Sequence, residues 1–454
     1  MIALVRPAAP LNRYIQNVPL NYVALAAWLR ERGFAPLILD MVLPGMTPEA
    51  VDRAIREHGI SVVGIGAMTC EMPQAVAEAR RLKEAHPGLR IVFGGAHPSA
   101  DPEECLATGA VDHVVVGEGE IAFERLLTDV REGREPAERI LFSPVPDVDS
   151  LPRPAFDLLD LPGYFALESP WHFPKSRRAV QFITSRGCPY RCSYCHEIHG
   201  KRYRGMNPQR VVDQIEWLVK EHGVEELLVV DDIFNFDLER AKEVCRGIIE
   251  RRLEVHLQFP NGVRGDRFDE ELVALMRRAG THYFAIAIET VSERFQKLTR
   301  KNLRIEPARQ TLRWARTHGI EVCGFFMIGF PGETLDEVRA TIDFALKEPF
   351  DTVFFSLVAP FKGTRLRTDM IQGHFGEMSS EGAEALEQLF PSVHNAALPA
   401  ELLLRLRRQA YWRFYRRPRT LANLALHMTS ATGLRKVLRA VRRRIFEPET
   451  SSLN

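Results

Sequence analysis

The chain reads as an α/β protein in three parts. These are an N-terminal doubly wound parallel sheet over residues 1–140, a partial (β/α)6 barrel over 179–375, and a helical, basic region over 376–454. Three observations predict this. Five short apolar runs alternate with helical patterns up to about residue 140. Six more do so between about 179 and 375. Beyond 376 the strand signal stops and arginine accumulates.

The first five runs are IALVR from Ile2, PLILD from Pro36, VVGIGA from Val62, RIVFGG from Arg90 and HVVVGEG from His113. Nearly every residue in them is apolar, as a parallel strand covered on both faces requires. Helix-like segments such as Leu20 to Arg32 and Met72 to His86 supply the cover. Thr47-Pro48 has the form of an N-cap followed by proline at the first helical position. A ligand of such a sheet sits beyond the carboxyl ends of the strands.

Residues 141–178 are dense in proline, as in VPDVDSLPRPAFDLLDLP, and read as a linker packed over the surface. The barrel strands that follow are AVQFIT from Ala179, ELLVVD from Glu226, EVHLQF from Glu254, YFAIAI from Tyr283, EVCGFFMIG from Glu321 and TVFFSLV from Thr352. Asn207-Pro208 opens a helix with Val211, Val212, Ile215, Leu218 and Val219 at helical spacing. Thr334 and Glu337 form a capping-box pattern for another. The chemistry of a β/α barrel collects at the carboxyl ends of its strands.

With 454 residues, 45% hydrophobic and 26% charged, the chain can bury more than one core without disulfides. The start, MIALVRPAAPLNRY, has too short an apolar run for a signal peptide. No stretch reaches the roughly 18 apolar residues of a spanning helix. A cytoplasmic protein is expected. Seven cysteines in an uneven pattern fit a reducing compartment better than a disulfide framework. Cys70, Cys105, Cys245 and Cys323 stand alone and are expected to be structural. Cys245, for example, lies on an apolar stripe with Ala241, Val244, Ile248 and Ile249.

The remaining three crowd into CPYRCSYC, which places Cys188, Cys192 and Cys195 directly after the first barrel strand with the spacing C-x3-C-x2-C. Cysteine-ligated iron–sulfur clusters usually use four thiolates. Three on one loop would leave one iron open, as a catalytic metal site keeps an open position. The competing readings are three incidental thiols, or a zinc site to which His196 or His199 supplies the missing ligand.

This motif, on this loop of this barrel, resembles the radical S-adenosylmethionine (SAM) superfamily. The resemblance implies a 4Fe–4S cluster on Cys188, Cys192 and Cys195. It further implies SAM on the open iron, and cleavage by one electron to a 5′-deoxyadenosyl radical. Tyr194 stands where the family puts an aromatic residue near the adenine. Candidate SAM contacts lie at the other strand ends. Asp231-Asp232 closes the second strand, Asn261 follows the third, Glu289 ends the fourth and Gly329 follows the fifth. A carboxylate there can accept from an ammonium or a ribose hydroxyl, and a glycine admits the adenine. Ala287 stands where the family commonly has glycine. Taken singly, each residue also fits an N-cap or a turn.

In the N-terminal part, Thr69 follows the third strand, Gly94-Gly95 the fourth and Gly117-Glu118-Gly119-Glu120 the fifth. Glycine pairs at strand ends let a large flat ligand approach the backbone. The run RIVFGGAHPSADPEECLATGAVDHVVVGEGE resembles the cobalamin-binding domain of cobalamin-dependent radical SAM proteins. Many cobalamin domains carry D-x-H-x-x-G, whose histidine ligates cobalt from below. Here the run is Asp40-Met41-Val42-Leu43-Pro44-Gly45, so the resemblance implies cobalamin without a histidine lower ligand. That would favour cob(I)alamin, a methyl acceptor. His97 is expected as a loop residue or tail contact.

Residues 401–454 carry twelve Arg, one Lys and three Glu, a net charge of +10 that leaves about −9 on the rest. The segments LLLRLRRQAYWRFYRRP from Leu402 and GLRKVLRAVRRRIF from Gly433 interleave these charges with apolar residues. Three readings stand: peripheral contact with an anionic membrane surface, a cover over an anionic substrate, or a solvated helical cap on the acidic barrel. No nucleic-acid-binding module accompanies the charge, and no nucleic-acid partner is expected.

The activity the resemblance implies is methylation of an unactivated carbon, or less often phosphorus, in a small or lipid-like substrate. It also implies a reducing donor of flavodoxin or ferredoxin type. Oxidative cyclisation or ring rearrangement with the same cofactors is the alternative. A non-catalytic redox or light sensor is the alternative of another class.

Overall fold

The computed structural model describes residues 1–8, 16–169, 174–378, 393–395 and 397–427. The first sheet has six strands: β1 Ile2–Arg6, β2 Pro36–Asp40, β3 Val62–Gly66, β4 Arg90–Gly94, β5 His113–Val116 and β6 Ile140–Phe142. They are all parallel, in the order β2-β1-β3-β4-β5-β6. The order reverses around β1, so the topological switch point lies at the carboxyl ends of β1 and β3. One face buries Ala3, Val5, Val63, Ile65, Ile91, Phe93 and Val114 against Val51, Ile55, Ala75, Ala79 and Leu82 of two helices. The first of these helices, Pro48–Glu57, starts as its sequence predicts. Thr47 caps it by accepting from the Ala50 N–H at 3.3 Å.

The proline-dense segment is more regular than its composition suggests. Pro162 lies in the first turn of the helix Leu161–Ala166, where Asp160 accepts from the Gly163 N–H at 3.1 Å. Proline is tolerated there because the first-turn N–H has no helical partner to lose. Phe156 and Tyr164 are fully buried, and the Tyr164 hydroxyl donates to Asp40, which also pairs with Arg6.

The second sheet contains β7 Ala179–Phe182. A short antiparallel hairpin follows, β8 Ser185–Arg186 with β9 Arg204–Gly205. Then come β10 Glu226–Val229, β11 His256–Val263, β12 Thr281–Glu289, β13 Glu321–Ile328 and β14 Thr352–Leu357. The sheet order is β14-β13-β12-β11-β10-β7, so each strand lies beside the next in sequence, as in a partial barrel. β11 runs to Val263, which places Asn261 inside the strand rather than after it. Asn207 and Thr334 cap the helices Pro208–His222 and Leu335–Lys347, the second with the full capping box.

By packing, the chain forms two units. One holds Met1–Pro189, His196–Asp232 and Leu253–Val255; the other holds Tyr190–Cys195, Ile233–Arg252 and the described residues from His256 onward. The first barrel strands therefore pack with the N-terminal sheet. Hydrogen bonds explain why. The Gln16 side chain donates to the Arg177 and Ala179 carbonyls at 2.6 and 3.1 Å, and Gln181 accepts from the Val18 N–H at 3.0 Å.

Beyond 376 the sequence shows no strand signal, yet β15 Glu377–Met378 and β16 Val393–His394 pair antiparallel. Two-residue strands are too short for periodicity to reveal. The segment from Leu402 lies in the helix Ala400–Tyr415, which buries Leu403, Leu406, Ala410, Tyr411 and Phe414. The Tyr411 hydroxyl accepts from the Phe355 N–H at 2.9 Å, and Arg417 donates to the Phe350 carbonyl at 2.8 Å. Here the basic segment caps its own unit. The segment from Gly433 lies outside the described residues. No helix among the described residues is long and apolar enough to cross a membrane.

Candidate active site

The loop closed by β8 and β9 carries all three clustered cysteines, and carboxylates hold its neck. Asp231 is buried and accepts from the Thr184 N–H, the Thr184 hydroxyl and the Ser185 hydroxyl, each at 2.6 Å. It is spent on aligning β8. Asp232 accepts from the Gly187 N–H and from His199 Nδ1, both at 2.9 Å. Burial alone would raise the Asp232 pKa, but these partners outweigh it and hold the carboxyl below its usual range. None of the three cysteines forms a disulfide. Cys188 and Cys192 are half-buried and Cys195 is exposed. The lone Cys105, Cys245 and Cys323 are buried, and burial pushes the Cys245 thiol up to about 12. Cys70 differs from that structural expectation, being exposed beside Thr69.

In the second unit, Tyr194 meets the end of β12. Its phenol is raised well above the ordinary value by burial, and Glu289, Cys192 and Cys195 add to the effect. The Tyr194 hydroxyl lies within hydrogen-bonding reach of Glu289 and Cys192, and the Ser193 hydroxyl is buried without a hydrogen-bond partner among the described residues. Such orphans are rare in folded proteins and mark where a ligand belongs. Glu289 has φ 66, a left-handed backbone for a residue with a side chain, at a register shift between β12 and β13. Strain of this kind concentrates at functional sites. Burial raises the Glu289 pKa, and Lys301, 3.7 Å away, opposes the shift.

The loop after β13 is also tightly built. Gly329 has φ 89, and the buried Glu333 accepts from the Gly329 and Phe330 N–H groups at 2.7 and 3.0 Å. The sequence places Glu333 in the Gly329 segment without a role of its own; its signal is a carboxylate four residues after a glycine with a positive φ. Glu333 Oε1 is buried without a hydrogen-bond partner among the described residues. Burial pushes the Glu333 pKa up to about 7. A raised carboxylate pKa contributes stability that is present below its ordinary value of 4.5 and lost as pH climbs through 7. The loss is on the order of 3 kcal/mol. Urea unfolding is therefore expected to show stability falling between pH 4.5 and 7 in wild type. Glu333→Gln keeps the acceptor without the charge and should flatten that slope; equal slopes would refute the assignment.

In the first unit, the strand ends form a bare cradle. Thr69 Oγ1 lies 3.3 Å from His97 Nδ1, and His97 Nε2 lies 3.0 Å from Glu104. His97 is thus a buried support for the Thr69 turn. Gly95 has φ 95, and a Cβ there would sit 3.3 Å from the Ala67 backbone. A Cβ at Gly94 or Gly117 would meet only a carbonyl oxygen, of Val115 at 3.8 Å or of Ser143 at 4.0 Å, and the Gly117 N–H donates to Ser99 at 3.0 Å. A flat ligand fits against backbone that side chains would otherwise cover. Val42, at the position of the missing histidine, is fully buried. Glu118 departs from its expected place among the ligand contacts. Its carboxylate is taken by Arg186, at 2.6 Å, and by Arg204. The described residues thus fit all three groups: thiols for a cluster, orphaned polar atoms for SAM, and a glycine cradle for a corrin.

Comparison with known proteins agrees. The radical SAM superfamily model matches residues 182–345, and the B12 binding domain model matches residues 12–127. The chain belongs to the cobalamin-binding radical SAM methyltransferase family, and is an enzyme that uses a 4Fe–4S cluster, SAM and cobalamin. It is 30% identical to an uncharacterized methyltransferase of Pyrococcus horikoshii, across 89% of each chain. It is 28% identical to the cytidylyl-2-hydroxyethylphosphonate methyltransferase of Streptomyces wedmorensis, across 82% of each. A further relative is the anaerobic magnesium-protoporphyrin IX monomethyl ester cyclase of Rubrivivax gelatinosus, 26% identical across 76% of this chain and 65% of that one. Two solved structures share the fold. The cobalamin-dependent SAM radical enzyme OxsB has a TM-score of 0.74 at 15% identity, across 97% of this chain and 75% of that one. The radical SAM methyltransferase TsrM of Kitasatospora setae has a TM-score of 0.64 at 21% identity, across 82% and 78%.

Proposed function

We propose that this enzyme methylates an unactivated carbon, or less often phosphorus, in a small or lipid-like substrate. The observation that carries the reading is the match across most of both chains to a phosphonate-linked methyltransferase. In this reading Cys188, Cys192 and Cys195 hold the cluster. Tyr194 packs near the adenine, and Glu289 accepts from SAM in a pocket where burial strengthens the bond. Asp232 keeps the cysteine loop in place through Gly187 and His199. The Gly329 loop lets the nucleoside approach the backbone. Thr69, Gly94, Gly95 and Gly117 admit the corrin, and Val42 offers it no ligand from below. When bound, these cofactors supply a 5′-deoxyadenosyl radical and a methyl group. The chain itself orients the reacting groups and excludes water, which accounts for much of the rate such an enzyme can gain.

Product mass tests the proposal. Anaerobically reconstituted protein would receive dithionite, SAM labelled as CD3 and a metabolite extract of its source. A small molecule that gains the labelled methyl in place of one hydrogen is expected. Substrate-dependent 5′-deoxyadenosine with no labelled product would favour cyclisation instead, the reading that the cyclase relative supports.

A further inference from the structure

A buried, charge-balanced group joins the ligand end of the first sheet to the neck of the cysteine loop. Glu118 stands at the N-cap position of the helix Gly119–Arg131, but its side chain does not cap that helix. It reaches Arg186 at 2.6 Å and also Arg204. Glu120, in the first turn of the same helix, pairs with Arg186 at 2.8 Å. Arg186 and Arg204 face each other across the β8–β9 hairpin. Arg204 also donates to the Pro146 carbonyl at 3.1 Å and the His199 carbonyl at 3.2 Å. Arg186, Glu118 and Glu120 are each less than 10% exposed.

Two carboxylates and two guanidinium groups cancel, and both carboxylates sit where the positive end of a helix dipole favours them. Removing four charges from water seldom stabilises a fold more than apolar packing would. What such a group provides is a fixed geometry, because a guanidinium fork donates to carboxylates along few directions. The two elements it fixes are those that matter to the chemistry. One is the carboxyl end of β5, beside Gly117. The other is the two-strand neck from which Cys188, Cys192 and Cys195 are hung.

We propose that Glu118 and Glu120 with Arg186 and Arg204 form a positioning clamp that fixes the β8–β9 neck, and with it Cys188, against the carboxyl end of β5. Glu118 is then a positioning residue and not a cobalamin contact. The clamp rests on the two cofactors and is indifferent to the reaction that follows. Its loss loosens the neck at Cys188 while leaving the thiols and the strand-end glycines chemically unchanged.

The test uses holoenzyme carrying cluster and cobalamin, reduced so that cob(II)alamin and the cluster are both paramagnetic. Electron paramagnetic resonance then reads the magnetic interaction between the two centres. Wild type should give one defined interaction. Glu118→Gln should weaken or broaden it, with iron and cobalt contents unchanged, and Glu118→Asp should restore part of it. Hydrogen exchange over residues 185–205 should rise in Glu118→Gln without a rise in β1 or β3. Arg30→Gln, which breaks the exposed pair with Asp157, should change neither signal. A folded Glu118→Gln protein with wild-type interaction and exchange overturns the clamp. If Glu118→Gln does not fold, Arg204→Lys, which keeps the charge and loses the fork, decides in the same way.

Discussion

Cys192→Ala is expected to abolish 5′-deoxyadenosine formation while cobalt–corrin absorption still travels with the protein through gel filtration. The substitution removes one of three thiols on a loop whose backbone does not depend on it. The turn is closed by main-chain atoms, with the Cys195 N–H donating to the Cys192 carbonyl at 3.2 Å. Ser193 is tied in the same way, its N–H to the Thr299 carbonyl at 2.8 Å and its own carbonyl to the Leu366 N–H at 2.7 Å. Alanine preserves all of these bonds. What it removes is a donor for one iron, and two cysteines cannot hold a cluster that normally takes three or four. Thr69, Gly94, Gly95 and Gly117 lie at or just beyond the carboxyl ends of β3, β4 and β5, so corrin binding should survive. Chromatography after anaerobic reconstitution with iron, sulfide and hydroxocobalamin, then dithionite and SAM, reads the result. Cleavage at the wild-type level would return the three cysteines to a structural role. Loss of both activities at once would mean that the loop also supports the cobalamin domain.

Most of the architecture could be read in advance because its signals are local. β1 to β5 are apolar at nearly every position, and the caps at Thr47, Asn207 and Thr334 each lie within three residues of the groups they satisfy. What escaped was short or polar. β6 has three residues, with Phe142 exposed at the sheet edge, and the β8–β9 hairpin is Ser-Arg against Arg-Gly. No hydrophobic period can announce such strands.

The site divides along the same line. Cysteine spacing and strand-end carboxylates are local patterns, so Cys188, Asp231, Asp232 and Glu289 could be picked out. Their partners could not, because the pairing of Glu118 with Arg186 spans 68 residues and that of Thr184 with Asp231 spans 47. Glu118 was grouped with the corrin contacts because it follows a strand, whereas tertiary packing turned it toward the hairpin. Asp231 shows the converse. Its position resembles a SAM contact, and its three hydrogen bonds commit it to β8.

Gly187→Ala should cost the enzyme its cluster, even though it adds one methyl group at a residue that ligates nothing. Gly187 has φ 83, in the left-handed region. An alanine there pays about 1–2 kcal/mol for the backbone alone. The larger effect is steric. A Cβ at this position would overlap the Arg202 carbonyl oxygen and lie 2.9 Å from the His199 carbonyl oxygen. Both obstacles are backbone, so neither can rotate away, and relief requires the loop neck to open. Opening would break the bond from the Gly187 N–H to Asp232 and displace Cys188, the next residue. Gly200→Ala separates strain from overlap, because Gly200 has φ 72 but a Cβ there meets nothing within 4 Å. Iron bound per chain after reconstitution is the measurement. Gly187→Ala should retain little iron and form no 5′-deoxyadenosine, whereas Gly200→Ala should keep most of its iron and show only a modest fall in melting temperature. Equal iron contents in the two variants would mean that the neck tolerates opening, and that the three thiols find the cluster without its support.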